Sequence, residues 1–381
     1  MEDRLSQRAL IATHQRSPAD DRADIAPVTF PFAEGMRHPL PAAMETIYAN
    51  LASSPDAFAV SPTLGLDPCR QAIIAFERAL YGTELAPKQV AIGTSAHQLM
   101  QTLMQVLIDP GDKVIFPDPS PHSYLQQLRQ VDAKVQAFTL VNSATWTIHE
   151  ADSLAYLNRM LRRERPKLLI LAAPDNPCGH VLSQEFVENA VRITGDEGGF
   201  VVIDFSQKEL TFDTPPAYFS WGPKDNLILL RSHSLYPNGI GWIEAPAFII
   251  RAIEALQESS IGAADSLHQR AFATFVEQTG GDLPAVLADT RALYHTAAQV
   301  MSEALDASGL PHIPSAGGPF NAVKVGEDGS KFAERMLREH VLEVVPGWSF
   351  GESMQSAIRI STGPLVTDPD SIREGLRHLK P

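Results

Sequence analysis

Two short apolar runs and the loops that follow them decide the fold: Lys167-Leu-Leu-Ile-Leu-Ala-Ala-Pro-Asp-Asn-Pro-Cys-Gly179 and Phe200-Val-Val-Ile-Asp204. Runs this short and this apolar are typical of strands that are buried on both faces of a parallel sheet. In open parallel sheets, ligands bind beyond the carboxyl ends of the strands. The two stretches therefore predict a sheet and also indicate where its functional site should lie.

Further apolar runs extend this sheet in both directions along the chain. They cover residues 113–116, 134–140 and 227–230, and helix-length segments such as 151–163 separate most of them. Strands that alternate with helices are typical of an α/β fold, with a mainly parallel central sheet covered on both faces.

The chain divides into three parts by pattern. Residues 1–45 are polar and then Pro-rich, which predicts an extended arm that packs on a small domain or on a partner subunit. Residues 46–246 contain the alternating strands and helices and form the predicted large domain. Residues 247–381 begin with helical segments and end in strand and helix candidates, which predicts connecting helices and a smaller C-terminal α/β domain.

Composition limits the classes of function. The 381 residues are 44% hydrophobic and 20% charged, as in globular proteins with sizeable cores, and the formal net charge is −14. Such a field repels nucleic acids and anionic membranes, so neither is an expected partner, although a local basic pocket for one small anion remains allowed. The chain has two cysteines, no apolar run of membrane-spanning length, and acidic residues where a signal peptide has basic ones. These features favour a soluble, cytoplasmic protein. We expect no metal site.

Three loops that follow strands carry unusual residues. The segment Ile92-Gly-Thr-Ser-Ala-His-Gln98 leads into an apolar periodic helix, whose free amide groups favour a phosphate, although an ordinary turn capped by Ser95 fits equally well. Asn176 lies between two prolines, which either present its amide at a rigid turn or only shape that turn. Asp204 ends an apolar strand and, if partly buried, requires a cation or a hydrogen-bond donor.

In this order and spacing, the loops resemble those of the class I/II aminotransferases, which have the pyridoxal-phosphate (PLP) transferase fold of type I. The resemblance covers roughly residues 62–379. It is carried by five stretches: Asp109-Pro-Gly-Asp-Lys-Val-Ile-Phe-Pro-Asp-Pro119, Asn176-Pro-Cys-Gly179, Asp204-Phe-Ser-Gln-Lys-Glu-Leu210, Val344-Val-Pro-Gly-Trp-Ser-Phe-Gly351 and Ala357-Ile-Arg-Ile-Ser361.

The resemblance implies a role for each matching residue. Asn176 would hydrogen-bond the pyridine hydroxyl of the cofactor, and Asp204 would pair with its protonated ring nitrogen. Arg359 would bind a substrate carboxylate with its planar guanidinium, although a surface ion pair is the alternative. The phosphate would be held by a group of residues that we call the phosphate cup: Ser95, Ala96, His97 and Ser232. The family also implies a homodimer with pockets at the subunit interface.

The sequence departs from the family pattern around this one pocket. Leu235 stands where the family has the lysine that forms an internal aldimine with PLP, and leucine cannot act as nucleophile or base. The loop that follows is about three residues short and lacks its phosphate-binding arginine. The other departures are Val60 and Ser61 for a tyrosine of the partner subunit, Pro121 for the aromatic residue that stacks on the cofactor ring, and Gln207 for a tyrosine. His122 or Tyr124 could replace that stacking residue.

Other residues could take over proton transfer. Lys208 and Lys224 are the lysines nearest in sequence, but Lys208 follows Asp204 in its loop and Lys224 precedes the strand that enters the site. His233 and Tyr236 are the better candidates, because a histidine can act as a general base without a covalent link to the cofactor.

Three functions remain open on the sequence alone. The first is an aminotransferase-like enzyme that binds PLP, or pyridoxamine 5'-phosphate (PMP), non-covalently and acts on an amino acid or related carboxylate in a specialised pathway. The second is a cofactor-independent enzyme or carboxylate-binding protein that has lost PLP. The third is a non-catalytic partner subunit of an active homologue. A fold does not choose among them, since function depends on the site.

Overall fold

A seven-stranded sheet forms the centre of the protein in the computed structural model, which describes residues 28–33, 42–232 and 239–380. Its strands are β2 (Val90–Gly93), β3 (Lys113–Asp118), β4 (Lys134–Thr139), β7 (Leu168–Ala172), β8 (Phe200–Asp204), β9 (Leu227–Ser232) and β10 (Gly241–Glu244). They lie in the order β2-β10-β9-β8-β7-β3-β4. All neighbours along β9-β8-β7-β3-β4 are parallel, and only β10 runs antiparallel to the strands beside it.

Helices cover both faces of this sheet, because its strands are apolar on both sides. On one face lie Ala96–Leu107, His122–Gln130 and Ala247–Ser259, packed around a core that includes Met100, Ile170 and Ile250. On the other lie Glu150–Glu164 and Gln184–Asp196. The predicted α/β fold with a mainly parallel sheet is therefore confirmed.

A second, smaller sheet lies in the C-terminal part of the chain. It has the order β11-β14-β13, and both pairs of strands are antiparallel. Its strands are β11 (Phe320–Lys324), β13 (Val345–Pro346) and β14 (Ala357–Ser361). Two further ladders of two residues each join β1 (Phe30–Pro31) to β12 (Leu342–Glu343) and β5 (Val141–Asn142) to β6 (Thr147–Ile148).

The remaining helices pack between and around the two sheets. They are Ala42–Ala52, Asp67–Tyr81, Ser266–Thr279, Leu283–Ser308, Gly329–His340 and Pro369–Leu376. A large apolar cluster joins several of them to the small sheet, and Phe30 and Phe32 of the N-terminal part belong to it. The arrangement is compatible with the predicted domain boundaries, which stay a prediction.

Two structural features bear on the predictions made from the sequence. Strand β10 was not predicted, because a run of four residues that contains a glycine and a glutamate carries no clear strand pattern. Within the described residues, no helix is long and apolar enough to cross a membrane.

Candidate active site

The predicted site residues lie at the carboxyl ends of neighbouring strands. Asp204 ends β8, Ser232 ends β9, and the loop with Asn176 follows β7. Because β9, β8 and β7 are adjacent and parallel, their carboxyl ends lie along the same edge of the sheet. The alternation of strands and helices thus brings residues that are distant in sequence into one region.

The Asp204 carboxylate is held by three donors of its own chain. Its Oδ1 accepts hydrogen bonds from the backbone amide of Ser206, at 2.8 Å, and from the Ser206 hydroxyl. Its Oδ2 accepts a hydrogen bond of 2.6 Å from the Tyr124 hydroxyl. No lysine or arginine among the described residues forms an ion pair with it. The carboxylate is therefore fixed in position while its charge has no cationic partner within the described chain.

Tyr124 is buried, with 4% of its surface exposed. Burial raises the pKa of its phenol well above the usual value, and the Asp204 carboxylate adds to the shift. The phenol therefore stays protonated and donates to Asp204 at all ordinary pH values. The hydroxyl thus orients Asp204, and stacking of the Tyr124 ring on the cofactor stays a prediction. His122, the other candidate for stacking, packs edge-on against Trp348 with ring centroids 5.8 Å apart.

The phosphate cup residues meet where β10 passes the N-terminus of helix Ala96–Leu107. Gly241 of β10 pairs with Ser232 on one side and with Gly93 on the other. A Cβ atom on Gly241 would collide with the Ala96 amide nitrogen, so only glycine lets the strand pass this close. Ser95 caps the helix, since its Oγ accepts a hydrogen bond of 3.1 Å from the Gln98 amide. His97 lies exposed on the first turn.

The loop after β7 is shaped by its glycine. Gly179 has a φ of +67°, and a Cβ there would collide with Ser315 and with the backbone of Gly317. Asp175, which the sequence did not single out, is buried in this loop, and its Oδ1 accepts from the His180 amide. Burial raises the pKa of Asp175 to about 6. The turn presents Asn176 toward Arg359, whose Nη1 donates to the Asn176 Oδ1 at 3.4 Å.

Arg359 of β14 is a buried cation without a carboxylate partner among the described residues. Its Nη2 donates to the Ala33 carbonyl at 2.7 Å, and its Nε has no hydrogen-bond partner. The guanidinium carbon lies 4.3 Å from the centroid of the Phe320 ring and 5.3 Å from that of Phe350. Burial lowers the pKa of Arg359 to about 10. Since an unpaired buried charge is costly, this geometry suits an anion supplied by a ligand.

A buried charged network lies beside the site, and the sequence reasoning missed it. Arg231, at the penultimate position of β9, donates to Glu77 and Glu209 at 2.5 to 2.8 Å and to the Phe205 carbonyl at 3.0 Å. Lys208 donates to Glu77 at 3.1 Å and is 2% exposed. Glu244 completes the network, with its Oε1 3.9 Å from Arg231 Nε. The available signals were a glutamate on the apolar face of a helix and an arginine in an apolar strand.

The buried network contains Lys208, one of the two lysines considered as replacements for the missing one. Lys208 is enclosed by its ion pair with Glu77 and by the Tyr81 ring, whose centroid lies 3.7 Å from the ammonium nitrogen. Lys224 precedes the amino end of β9, at the opposite edge of the sheet, and its ammonium lies 3.9 Å from the centroid of the Trp221 ring. Neither lysine is free at the carboxyl edge.

His233, Leu235 and Tyr236 lie outside the described residues, as does most of the predicted arm. Gln207, which replaces a family tyrosine, has a buried Oε1 without a hydrogen-bond partner. Across 28–33, 42–232 and 239–380, no group of three or more histidine, cysteine or carboxylate side chains could hold a metal ion.

Comparison with known proteins identifies the family. Residues 29–379 match the family model described as aminotransferase class I and II, so the chain belongs to that family. One curated relative is the L-glutamine--4-(methylsulfanyl)-2-oxobutanoate aminotransferase of Bacillus subtilis, 27% identical over 80% of this chain and 76% of its own length. Another is the glutamate-pyruvate aminotransferase AlaC of Escherichia coli, 25% identical over 87% and 80% of the two chains.

Solved structures agree on the fold. The aspartate aminotransferase of Thermus thermophilus with maleate superposes with a TM-score of 0.83 over 98% of both chains, at 20% sequence identity. A Bacillus subtilis structure described as substrate-bound BacF gives a TM-score of 0.79 over 98% of this chain and 94% of its own, also at 20% identity. At these identities the similarity shows only the fold, which is the PLP-transferase fold of type I. The chemistry has to be argued from the residues of the site.

Proposed function

Starting from membership of the class I/II aminotransferase family, we propose that this protein is an aminotransferase-like enzyme that acts on an amino acid or related carboxylate. It binds PLP or PMP non-covalently, without the usual link to a lysine. The observation that carries the proposal is Arg359, a buried guanidinium with a free Nε and no carboxylate partner among the described residues. A ligand carboxylate would supply the missing anion.

The residues present fit the cofactor. Asp204 is a fixed carboxylate that no described cation neutralises, which suits a protonated pyridine nitrogen. The amide nitrogen of Asn176 donates to no residue of the described chain and is available for the pyridine hydroxyl. The phosphate cup offers amide groups at a helix N-terminus, which favour an anion. When bound, PLP supplies an electron sink for cleavage of bonds at the substrate's α-carbon.

Each residue contributes a separate task to this chemistry. Asp204 holds the proton on the pyridine nitrogen, and Tyr124 and Ser206 keep the carboxylate oriented. Arg359 binds and orients the substrate carboxylate from between the Phe320 and Phe350 rings, which limit access of water to the ion pair. Proton transfer at the substrate falls to His233 or Tyr236, because Leu235 has no ionisable group and Lys208 is engaged with Glu77.

The proposed assembly is a cytoplasmic homodimer. Phe58 and Val60 are apolar side chains with 70% and 95% of their surface exposed, and they lie in the segment that, in the family, contributes a tyrosine to the pocket of the partner subunit. A second copy of the chain would cover them and close the pocket.

A second candidate function is carboxylate binding without PLP. It is favoured by Asp204, because the two carboxylate oxygens already accept three hydrogen bonds from the chain and do not require a cofactor as a further partner. The loss of the lysine and of the loop arginine also removes part of the affinity for PLP phosphate.

Titration of the purified protein with PLP, followed by absorbance, distinguishes the two candidates. The proposed enzyme binds PLP below millimolar concentration, whereas the cofactor-free protein binds carboxylates alone. Borohydride reduction followed by mass spectrometry tests the non-covalent mode, since only a PLP linked through a lysine leaves an adduct on the chain. An adduct on any lysine would contradict that mode.

A further inference from the structure

We propose that Asp118 is a positioning residue for the carboxylate site: it holds the turn Gly351–Ser353 so that the neighbouring Phe350 ring stays packed on Arg359. This inference rests on the proposed role of Arg359 in binding substrate. Asp118 itself touches neither Arg359 nor a proposed ligand. Its effect passes through one turn of the C-terminal part of the chain.

The first contact is between the end of β3 and that turn. The Asp118 carboxylate accepts a hydrogen bond of 2.7 Å from the Ser353 hydroxyl and lies 3.2 and 3.3 Å from the Ser353 amide nitrogen. Gly351 has a φ of +141°, and a Cβ on it would collide with the carboxylate. Only glycine therefore allows Asp118 to approach the turn so closely.

A second contact, from a residue two positions after Asp118, holds the same turn. The Ser120 amide donates to the Phe350 carbonyl at 2.9 Å. Asp118 and Ser120 thus bind the chain at positions 353 and 350, on either side of Gly351. Two attachments fix the orientation of the short segment and with it the direction of the Phe350 side chain.

Phe350 connects this attachment to the site. Its ring is 6% exposed, and its centroid lies 5.3 Å from the guanidinium carbon of Arg359, while Phe320 lies at 4.3 Å. The guanidinium therefore contacts two aromatic rings that restrict its motion and exclude water. If the turn shifts, Arg359 loses one of them, becomes more hydrated and binds a carboxylate less tightly.

The Asp118 carboxylate depends on the turn as much as the turn depends on Asp118. Asp118 forms no ion pair with a lysine, arginine or histidine of the described residues, although part of its carboxylate is removed from water. Burial raises the pKa of Asp118, and the Ser353 hydrogen bonds oppose the shift. The hydrogen bonds from Ser353 therefore offset part of the desolvation cost of this carboxylate, and its acceptor oxygens are what hold the turn.

The test begins with hydrogen exchange in the full-length protein, which needs no ligand. We expect amides of residues 350–354 to exchange faster in Asp118→Ala and Ser353→Ala than in the wild type. Asp118→Asn, which keeps one acceptor oxygen, should restore most of the protection. Ser356→Ala is the matched control, because Ser356 is exposed and lies three residues beyond the turn. Unchanged exchange in Asp118→Ala would overturn the proposal.

Calorimetry with maleate as the carboxylate probe completes the test. Asp118→Ala and Ser353→Ala should weaken maleate binding about threefold to tenfold, while PLP affinity stays unchanged because Asp204 is not disturbed. If Arg359→Leu weakens binding but Asp118→Ala does not, this inference fails and the proposed function stands. If the wild type binds no maleate or if Arg359→Leu has no effect, the two fail together.

Discussion

The Tyr124 hydroxyl lies 2.6 Å from Oδ2 of Asp204, 80 positions away in sequence. The phenol donates this bond from a buried position at the first turns of helix His122–Gln130. Together with the Ser206 amide, this hydrogen bond fixes the orientation of the Asp204 carboxylate. The proposed cofactor site therefore depends on a residue that need not touch the cofactor.

Tyr124→Phe should weaken PLP binding about threefold to tenfold, since it removes one hydrogen bond to the carboxylate that would pair with the pyridine nitrogen. Absorbance titration measures the change. Tyr156→Phe is the control, because Tyr156 is 44% exposed on helix Glu150–Glu164. Equal affinities of the wild type and Tyr124→Phe would show that Asp204 does not need this support.

Replacing Arg359 with leucine should weaken binding of a carboxylate such as maleate by at least ~1.5 kcal/mol, or roughly tenfold, because the anion would lose its bidentate partner in a dry pocket. Calorimetry provides the measurement. Arg373→Leu serves as the control, since Arg373 forms a surface ion pair with Asp370. An unchanged affinity of Arg359→Leu would remove Arg359 from the site.

PLP added to the wild type should give no absorption band of a lysine linkage, because Leu235 replaces the lysine and Lys208 is paired with Glu77. Asp204→Ala should abolish PLP binding, and circular dichroism should show that the fold persists. Failure of PLP to bind the wild type at millimolar concentration, or binding that Asp204→Ala leaves intact, would favour the cofactor-free protein.

Arg231→Met should lower the free energy of unfolding by about 3 to 5 kcal/mol, because it leaves the carboxylates of Glu77 and Glu209 buried without their main cation. Chemical denaturation measures this loss. Arg192→Met removes an exposed ion pair with Asp196 and an exposed hydrogen bond to Asn189, and it should cost about 0.5 kcal/mol or less. Similar losses in the two variants would show that the network adds no stability.

Glu244 should make stability depend on pH. Burial, reinforced by Glu77, raises the pKa of Glu244 to about 8, although Lys208 and Arg231 act in the opposite direction. The folded protein thus binds a proton that the unfolded chain releases near its ordinary pKa. Between about pH 4.5 and 8 the free energy of unfolding should therefore fall as pH rises, by at most about 1.4 kcal/mol per pH unit from this group.

Denaturation curves at several pH values test this expectation. Glu244→Gln has no proton to lose, so its stability should fall less steeply with pH than that of the wild type. The difference between the two slopes isolates Glu244 from other groups with raised pKa values, such as Asp175. Parallel slopes would show that Glu244 is already ionised in the folded protein.

Local sequence was enough for much of the fold. The strands β7 and β8 are continuous apolar runs, and both form where the sequence predicted strands. The helix Ala96–Leu107 was equally clear from its apolar periodicity. These features depend on residues that are neighbours in sequence, so the sequence pattern alone predicts them. Strand β10 was not predicted, because its four residues are held in the sheet by pairing with β2 and β9 on its two sides.

The sequence by itself determined which residues stand at the predicted site, because Asn176, Asp204 and Arg359 belong to short motifs whose spacing is local. Only the tertiary structure decided their partners. Tyr124 reaches Asp204 because β3 and β8 both lie beside β7 in the sheet, and Arg231 meets Glu77 across 154 positions. Such contacts follow from strand order and helix packing, and a buried charge or hydroxyl takes whichever partner the completed fold brings within hydrogen-bond distance.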